Sequence, residues 1–445
     1  MNKFLLINKQ INPFNKKIHI DSDKSLSIRF AIIASLANGK SKAYNLLKSE
    51  DVLSALSCLK KLGVKIKFTK NYCEITGKGL NGYSYKKNLT LDAGNSGTAA
   101  RLISTLCLNS PDFVRITGDE SLKKRDMKRI IKPLTRFGAK IKKNKGTLPI
   151  FIKGSKHLKS INYFENLGSA QVKSVILISA LLSSSKKTTL KCKPSRTHTE
   201  ILFKYLKIPI KVKKDKKFDY IEIKGKKKFN SFNYIIPGDI SSASFPIVLT
   251  LLSKNSQLII KDVNINSSRT GIISIINMMG GLIKLKNKRI YKGEKIADIL
   301  IKSTDNLKAI NLPKSFNNST AIDEFNLIFL CAAFAKGVSS FRGLLELQSK
   351  ESKRLDWGFK MLRMIGIKTK KLGNDGIKIW GNPSLELNKN YIIKDYLKDH
   401  RIAMSSVILA LAKGGNWKIH DAEESVKTSF PSFKKMIKNL GGKIN

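Results

Sequence analysis

Six times along this chain of 445 residues, a short polar segment able to start a helix runs straight into an apolar one: at 21–29, 94–101, 168–173, 238–244, 320–326 and 398–404. The spacing, roughly seventy to eighty residues, suits one supersecondary unit per repeat, and units that cannot each bury an apolar face alone must stack on their neighbours. Each apolar segment leads to a β-branched stretch and then to a second helix with a shared ending. The endings read Leu62-Gly63-Val64, Phe137-Gly138-Ala139, Met279-Gly280-Gly281, Ile365-Gly366-Ile367 and Leu440-Gly441-Gly442, each feeding another strand. Glycine just past a helix takes the left-handed C′ position, so these are helix–stop–strand signals. The third unit departs, with Leu206-Lys207-Ile208-Pro209 at that place.

Six units in a chain with 42% hydrophobic residues divide most simply as three and three, because one compact core of this size would be unusually large. The expected division is a first domain over 21–237 and a second made of 1–20 and 238–445, with crossings near Ile20 and at Pro237-Gly238-Asp239. Uncharged apolar runs such as 175–182 fall far short of the ~20 residues that span a membrane, and residues 1–6 are too short a start for a signal peptide. The expectation is a cytoplasmic chain with no membrane partner. Five cysteines, Cys58, Cys73, Cys107, Cys192 and Cys331, show no CxxC spacing, so neither a disulfide framework nor a zinc site is expected.

A formal charge of +52 would ordinarily suggest nucleic acid. Here the excess is mostly lysine spread through every kind of element, alongside many Asn and Ile, the pattern of nucleotide bias rather than of one binding surface. Lysine-rich pieces such as 211–217 and 224–228 read as hairpin ends and solvated faces.

The chemistry sits at the helix starts. In residues 91–102, Gly94 and Gly97 let backbone N–H groups approach a ligand, Asn95, Ser96 or Thr98 can cap the helix, and Arg101 follows one turn in. At 21–29, Asp21, Ser22 and Asp23 can cap a helix carrying Lys24, Ser25 and Arg29, where dipole and cations would together hold a phosphate or carboxylate. Gly39-Lys40-Ser41 lacks the first glycine of a P-loop and follows a helix, so no nucleotide site is expected there. A charged loop from Gly118 to Asp126 carries Arg125. Ser169, Gln171 and Lys173 set a hydroxyl, an amide and an amine at one helix start, and Ser195, Arg196 and His198 open the next, groups that suit a polyhydroxylated, phosphorylated ligand. Asp323 and Glu324 begin an apolar helix. Lys350 and Arg354 stand at i and i+4 on one helical face with Glu351 between them, and Asp399-His400-Arg401 begins the sixth unit's helix.

Seven of these motifs, in order and spacing, resemble the enolpyruvyl transferase family: Lys24-Ser25 with Arg29, Asn95 to Arg101, Arg125, Ser169 with Gln171, Gly238-Asp239 followed by Ser241, Ser242 and Ser244, Lys350-Glu351-Ser352 with Arg354, and Asp399-His400-Arg401. The resemblance implies an α/β fold of two domains, each of three βαβαββ units around a pseudo-threefold axis, with the active site in the cleft between them. It implies transfer of enolpyruvate from phosphoenolpyruvate to the 5-hydroxyl of shikimate-3-phosphate, with no metal or cofactor, by a monomer with no specific nucleic-acid partner. Carried over residue by residue, Lys24, Ser25, Arg29, Ser169, Gln171, Ser195, Asp323 and Lys350 look like ligands of shikimate-3-phosphate. Lys24, Gly97, Arg125, Gln171, Arg354, Arg401 and Lys427 look like ligands of phosphoenolpyruvate. Asp323 is implied as the base at the 5-hydroxyl and Glu351 as the acid and base at the methylene carbon, with Lys24 or His400 assisting. Glyphosate, a longer anion, would compete beside Gly97.

The chain departs from the family pattern in places. Asp21-Ser22-Asp23 replaces Pro-Gly-Ser, Lys398 replaces an Asn, Gln348 and Lys353 replace an Arg and an Asp, and Lys427 fits the family's late lysine only with a one-residue shift. Two other readings compete. The sister enzyme acting on UDP-N-acetylglucosamine carries a Cys in the loop where residues 119–125 have none, and a basic nucleic-acid-binding α/β repeat protein would interleave its cations with exposed aromatics.

Overall fold

The computed structural model describes residues 4–142, 145–183, 186–215, 217–225 and 227–445. Among the described residues, alternating helices and short strands build six small sheets, and the chain divides into two compact units. One, the inserted unit, is Ser22–Ile236 with Tyr291–Glu294; the other, the terminal unit, is Met1–Asp21, Pro237–Ile290 and Lys295–Asn445. Each has its own apolar core.

The repeat expected from the sequence is visible in the strand pairing. In the inserted unit, Val114–Thr117 lies parallel to Thr90–Asp92 and antiparallel to Ile150–Lys153, which pairs antiparallel with Lys140–Ile141. The sheet around Lys187–Cys192 repeats this order with Asn162–Glu165, Asp219–Lys224 and Ile210–Lys214. The remaining sheet needs a distant strand. Lys40–Tyr44 pairs with Tyr72–Thr76, and its parallel neighbour is Asn233–Ile235 from the far end of the unit. The terminal unit does the same at larger range: Asn15–His19 runs parallel to Gln257–Lys261, and Phe4–Ile7 runs antiparallel to Trp417–His420. Lys211, Lys213 and Lys214 lie exposed on the strand Ile210–Lys214, which leads into the hairpin end before Asp219–Lys224, as the sequence reading of solvated faces and hairpin ends expects.

Each repeat carries two kinds of helix. The first kind is buried on nearly every side: all thirteen residues of Ile240–Leu252, all nine of Phe325–Ala333, and all but Lys413 of His400–Lys413. These three pack on one another, as Gly97–Ile103 packs between Lys24–Leu36 and Ala170–Leu182 in the inserted unit. A helix apolar all round belongs in a core, whereas a one-sided helix such as Lys128–Phe137 or Phe433–Leu440 lies outside it. Five of the six inner helices are capped by a side chain: Asp23, Ser96, Ser169, Asp239 and Asp399 accept from the N–H of Leu26, Ala99, Val172, Ser241 and Arg401. The outer helices stop as the sequence predicts, with Gly63, Gly138, Gly280, Gly366 and Gly441 all at positive φ; in the third unit Lys207 takes that conformation at φ 55°.

Candidate active site

In the inserted unit the inner helix starts bring together most of the residues singled out there. Lys24 Nζ pairs with Asp51 Oδ2 at 2.9 Å. Gln171 Nε2 donates to Thr98 Oγ1 at 2.9 Å, while its Oε1 accepts from Arg101 Nη1. A Cβ on Gly97 would stand 2.7 Å from Arg125 Nη1 and 2.9 Å from Arg101 Nη1. The absence of a side chain there lets two guanidinium groups reach a helix N-terminus whose dipole already favours an anion. Arg29 is buried; its Nε donates to Thr199 Oγ1 and Nη2 to Ser174 Oγ, both at 3.0 Å, and Nη1 donates to Ser25 O at 3.1 Å.

Two residues depart from the sequence reading, Lys173 in this unit and Asp21 in the terminal one. The amine of Lys173, read there as part of a polar helix start, turns inward and is fully buried against Glu200 at 2.7 Å. Asp21, grouped there with the caps of the first helix, instead accepts from Ser432 N at 3.0 Å, and burial outweighs that bond to push its carboxyl above the ordinary value.

In the terminal unit one guanidinium organises the cluster. Arg354 Nε donates to Asp399 Oδ2 at 2.8 Å and Nη2 to Asp399 Oδ1 at 3.1 Å; Nη1 reaches Asp323 Oδ1 at 3.3 Å, and Nη2 also bonds Glu351 Oε2. Burial would pull an arginine's protonation down, but the surrounding Asp399, Glu351 and Asp323 more than restore it. Burial likewise works against Asp399, and the Arg354 guanidinium outweighs it, holding that carboxyl below the ordinary value. Ser352 adds its N–H and hydroxyl to the same carboxylate, at 3.2 and 2.9 Å.

Lys350 Nζ lies 3.3 Å from Asp323 Oδ1 and 2.8 Å from Glu346 Oε1. The helix starts only at Arg354, so the helical i, i+4 face expected for Lys350 and Arg354 is not formed. A turn brings both cations to the same oxygen of Asp323 instead. Glu324 occupies the N-cap position of its helix but makes no cap hydrogen bond; its Oε1 accepts from Ser241 Oγ at 2.5 Å and lies 3.4 Å from Arg401 Nη1. Arg401 also donates to Asp323 O at 2.9 Å. Buried His400 is the first residue of its helix, beside Asp399. Lys427 ends the helix Ala422–Lys427, exposed, its side chain with no hydrogen bond or ion pair among the described residues.

Sequence reasoning missed the partners behind these residues. Arg269 holds Asp239 at 2.7 Å and Ser241 at 2.9 Å, and His198 Nδ1 pairs with Glu294 Oε1 at 2.7 Å with both side chains buried. Ninety-six positions separate the second pair, and no local pattern links them. Among the described residues no cluster of His, Cys, Asp and Glu could hold a metal ion, all five cysteines are buried and free, and no helix is long and apolar enough to cross a membrane.

The fold and sequence can be set beside known proteins. The family of EPSP synthase (3-phosphoshikimate 1-carboxyvinyltransferase) matches residues 8–437. A 3-phosphoshikimate 1-carboxyvinyltransferase of Ruthia magnifica subsp. Calyptogena magnifica is 40% identical over 446 residues, covering 100% of this chain and 99% of the relative. One from Thermoanaerobacter sp. is 39% identical, covering 95% and 97%. The structure of EPSP synthase from Acinetobacter baumannii superposes with a TM-score of 0.85 at 35% identity, over 99% of both chains. The enolpyruvyl transferase NikO from Streptomyces tendae shares the fold at a TM-score of 0.76 and 14% identity, covering 99% of this chain and 98% of its own. With matches that run from one end of the sequence to the other, this chain belongs to the EPSP synthase family.

Proposed function

We propose that the chain transfers the enolpyruvyl group of phosphoenolpyruvate to the 5-hydroxyl of shikimate-3-phosphate, giving 5-enolpyruvylshikimate-3-phosphate and phosphate, in aromatic biosynthesis. The observation that carries this reading is the end-to-end match to relatives named 3-phosphoshikimate 1-carboxyvinyltransferase.

The geometry supports it. Joining a hydroxyl to C2 of phosphoenolpyruvate requires protonation of the methylene carbon, deprotonation of the hydroxyl, and expulsion of phosphate from a tetrahedral intermediate. Two strongly charged anions must be held together while that happens, and cations at helix N-termini supply preorganised counter-charge. In this reading Lys24, Gly97, Arg125, Gln171, Arg354 and Arg401, with Lys427, are the ligands of phosphoenolpyruvate. Lys24 with Ser25, Arg29, Ser169, Gln171 and Ser195 takes the phosphorylated acceptor. Asp323, held by Lys350 and Arg354, accepts the proton of the 5-hydroxyl, and Glu351 serves the methylene carbon, with Lys24 or His400 assisting. The reading assigns the clusters of both units to one pair of substrates, and no metal or cofactor enters the scheme.

Phosphate release from phosphoenolpyruvate by the purified chain tests it. Release is expected with shikimate-3-phosphate and not with UDP-N-acetylglucosamine; release with the nucleotide sugar alone would move the chain to the sister activity.

A further inference from the structure

Behind the two serines assigned to the acceptor lies one buried ammonium. Lys173 Nζ donates to Ser195 O at 3.2 Å, pairs with Glu200 Oε1 at 2.7 Å and stands 3.9 Å from Asp219 Oδ2, with its side chain wholly out of solvent. Its backbone N–H donates to Ser169 O at 3.0 Å, in the first turn of the helix that Ser169 caps. Glu165 accepts from three successive backbone N–H groups, of Leu167 at 2.9 Å, Gly168 at 2.8 Å and Ser169 at 3.2 Å, and so shapes the turn that presents Ser169. The turn of Ser169 is thus bonded to the backbone of Lys173, and the loop of Ser195 to its ammonium. Ser195 Oγ is itself buried with no hydrogen-bond partner among the described residues. A buried hydroxyl left unsatisfied is costly, and a ligand that bonds it removes that cost.

A lysine is suited to this place because one compact ammonium can donate to a carbonyl while standing within ion-pair distance of two carboxylates. Burying an ammonium is expensive, so its presence beside Glu200 and Asp219 calls for a return that an apolar side chain of similar length could not give. We propose that Lys173 is a positioning residue for the acceptor: without touching it, the ammonium fixes the separation of the Ser169 turn and the Ser195 loop, and with it the fit to a phosphorylated polyol. The inference rests on the assignment of Ser169 and Ser195 to shikimate-3-phosphate.

A cycle of variants in the full chain tests both. The paired substitution Lys173→Met with Glu200→Gln removes the ion pair without changing the net charge of the site; it is compared with Ser195→Ala and with all three together. Michaelis constants for each substrate and thermal melting are the readouts. Ser195→Ala should raise the constant for shikimate-3-phosphate about tenfold, the size expected for one hydrogen bond to a charged group. The paired variant should raise it by a similar factor, leave phosphoenolpyruvate within about twofold, keep a cooperative melt, and add little once Ser195 is already Ala. Equal losses for both substrates, the same loss in both serine backgrounds, or a wild-type constant would overturn the inference. Should the paired variant not fold, Glu200→Gln alone is read by the same criteria. A normal Ser195→Ala enzyme would remove the assignment of Ser195 and the inference with it. An impaired Ser195→Ala enzyme beside a normal lysine variant would remove the inference alone.

Discussion

Arg354 grips Asp399 with two nitrogens, Nε at 2.8 Å and Nη2 at 3.1 Å, one to each carboxylate oxygen. The pair is the bidentate fork that lysine cannot reproduce. Arg354→Lys should therefore fold but lose at least about tenfold in kcat/KM, whereas Arg354→Met strands a buried carboxylate and should cost about 3–5 kcal/mol of stability. Urea unfolding separates the two outcomes. The pair also sets an acid limit. Asp399 lies below its ordinary 3.8 in the folded chain, so its contribution is fully present above the unfolded value and fades as pH falls through the folded one. Wild-type stability should fall below pH ~4, and Asp399→Asn should flatten that part of the curve.

Asp323→Asn and Glu351→Gln should each lower kcat by about a hundredfold or more while leaving the melting temperature within a few degrees, since both side chains face cations at the cluster's margin. Rapid-quench measurement of a single turnover reads the chemical step directly. An Asp323→Asn enzyme within a few-fold of wild type would take that carboxylate out of the reaction.

Gly97→Ala places a methyl 2.7 Å from Arg125 Nη1 and 2.9 Å from Arg101 Nη1. Both contacts are ends of flexible side chains, so the guanidinium groups should shift and the helix persist. The expected result is a folded enzyme whose Michaelis constant for phosphoenolpyruvate rises about fivefold to tenfold, and a larger rise in the inhibition constant of glyphosate, the longer anion. Equal inhibition constants for wild type and variant would show that Gly97 does not border the site.

Lys207 holds φ 55° where the five sister helices have glycine at their ends. Left-handed backbone costs a side chain with a Cβ, so Lys207→Gly should stabilise the chain by about 0.5–1 kcal/mol despite the extra freedom of glycine when unfolded. Chemical denaturation with an unchanged m-value would check it.

If the charge of +52 reflects drift, binding to duplex DNA should be sequence-blind and lost by physiological salt. The Michaelis constant for phosphoenolpyruvate should also rise with salt, because several cations hold one small anion. Filter binding and initial rates across a salt series test the pair of statements.

Local chemistry explains what could be foreseen. Ser96, Ser169 and Asp399 announce themselves because a short hydroxyl or carboxylate before an apolar run has one main use, and Gly63 or Gly441 because few other residues tolerate the conformation that ends a helix. Glu324 shows the limit: the same kind of position was spent on Ser241 and Arg401 from two other repeats. Lys350 and Arg354 have helical spacing but meet through a turn, which periodicity cannot distinguish. The inward path of Lys173 depends on Glu200 and Asp219, residues whose nearness only the packed unit creates.

The order in which the chain is made bears on the strand pairing. The inserted unit closes its first sheet with Asn233–Ile235, nearly at its own end, so it can collapse soon after it leaves the ribosome. The terminal unit has to wait. Phe14 N finds Ser256 Oγ 242 positions later, which at ~5–20 residues per second is at least ~12 s, and Leu6 meets Asn445 later still. Asn15–His19 waits with Lys16 and Lys17 on it, charges that discourage stray pairing at an open edge. Phe4–Ile7, reading Phe-Leu-Leu-Ile, waits with none, an apolar stretch without its partner strand until Trp417–His420 is made.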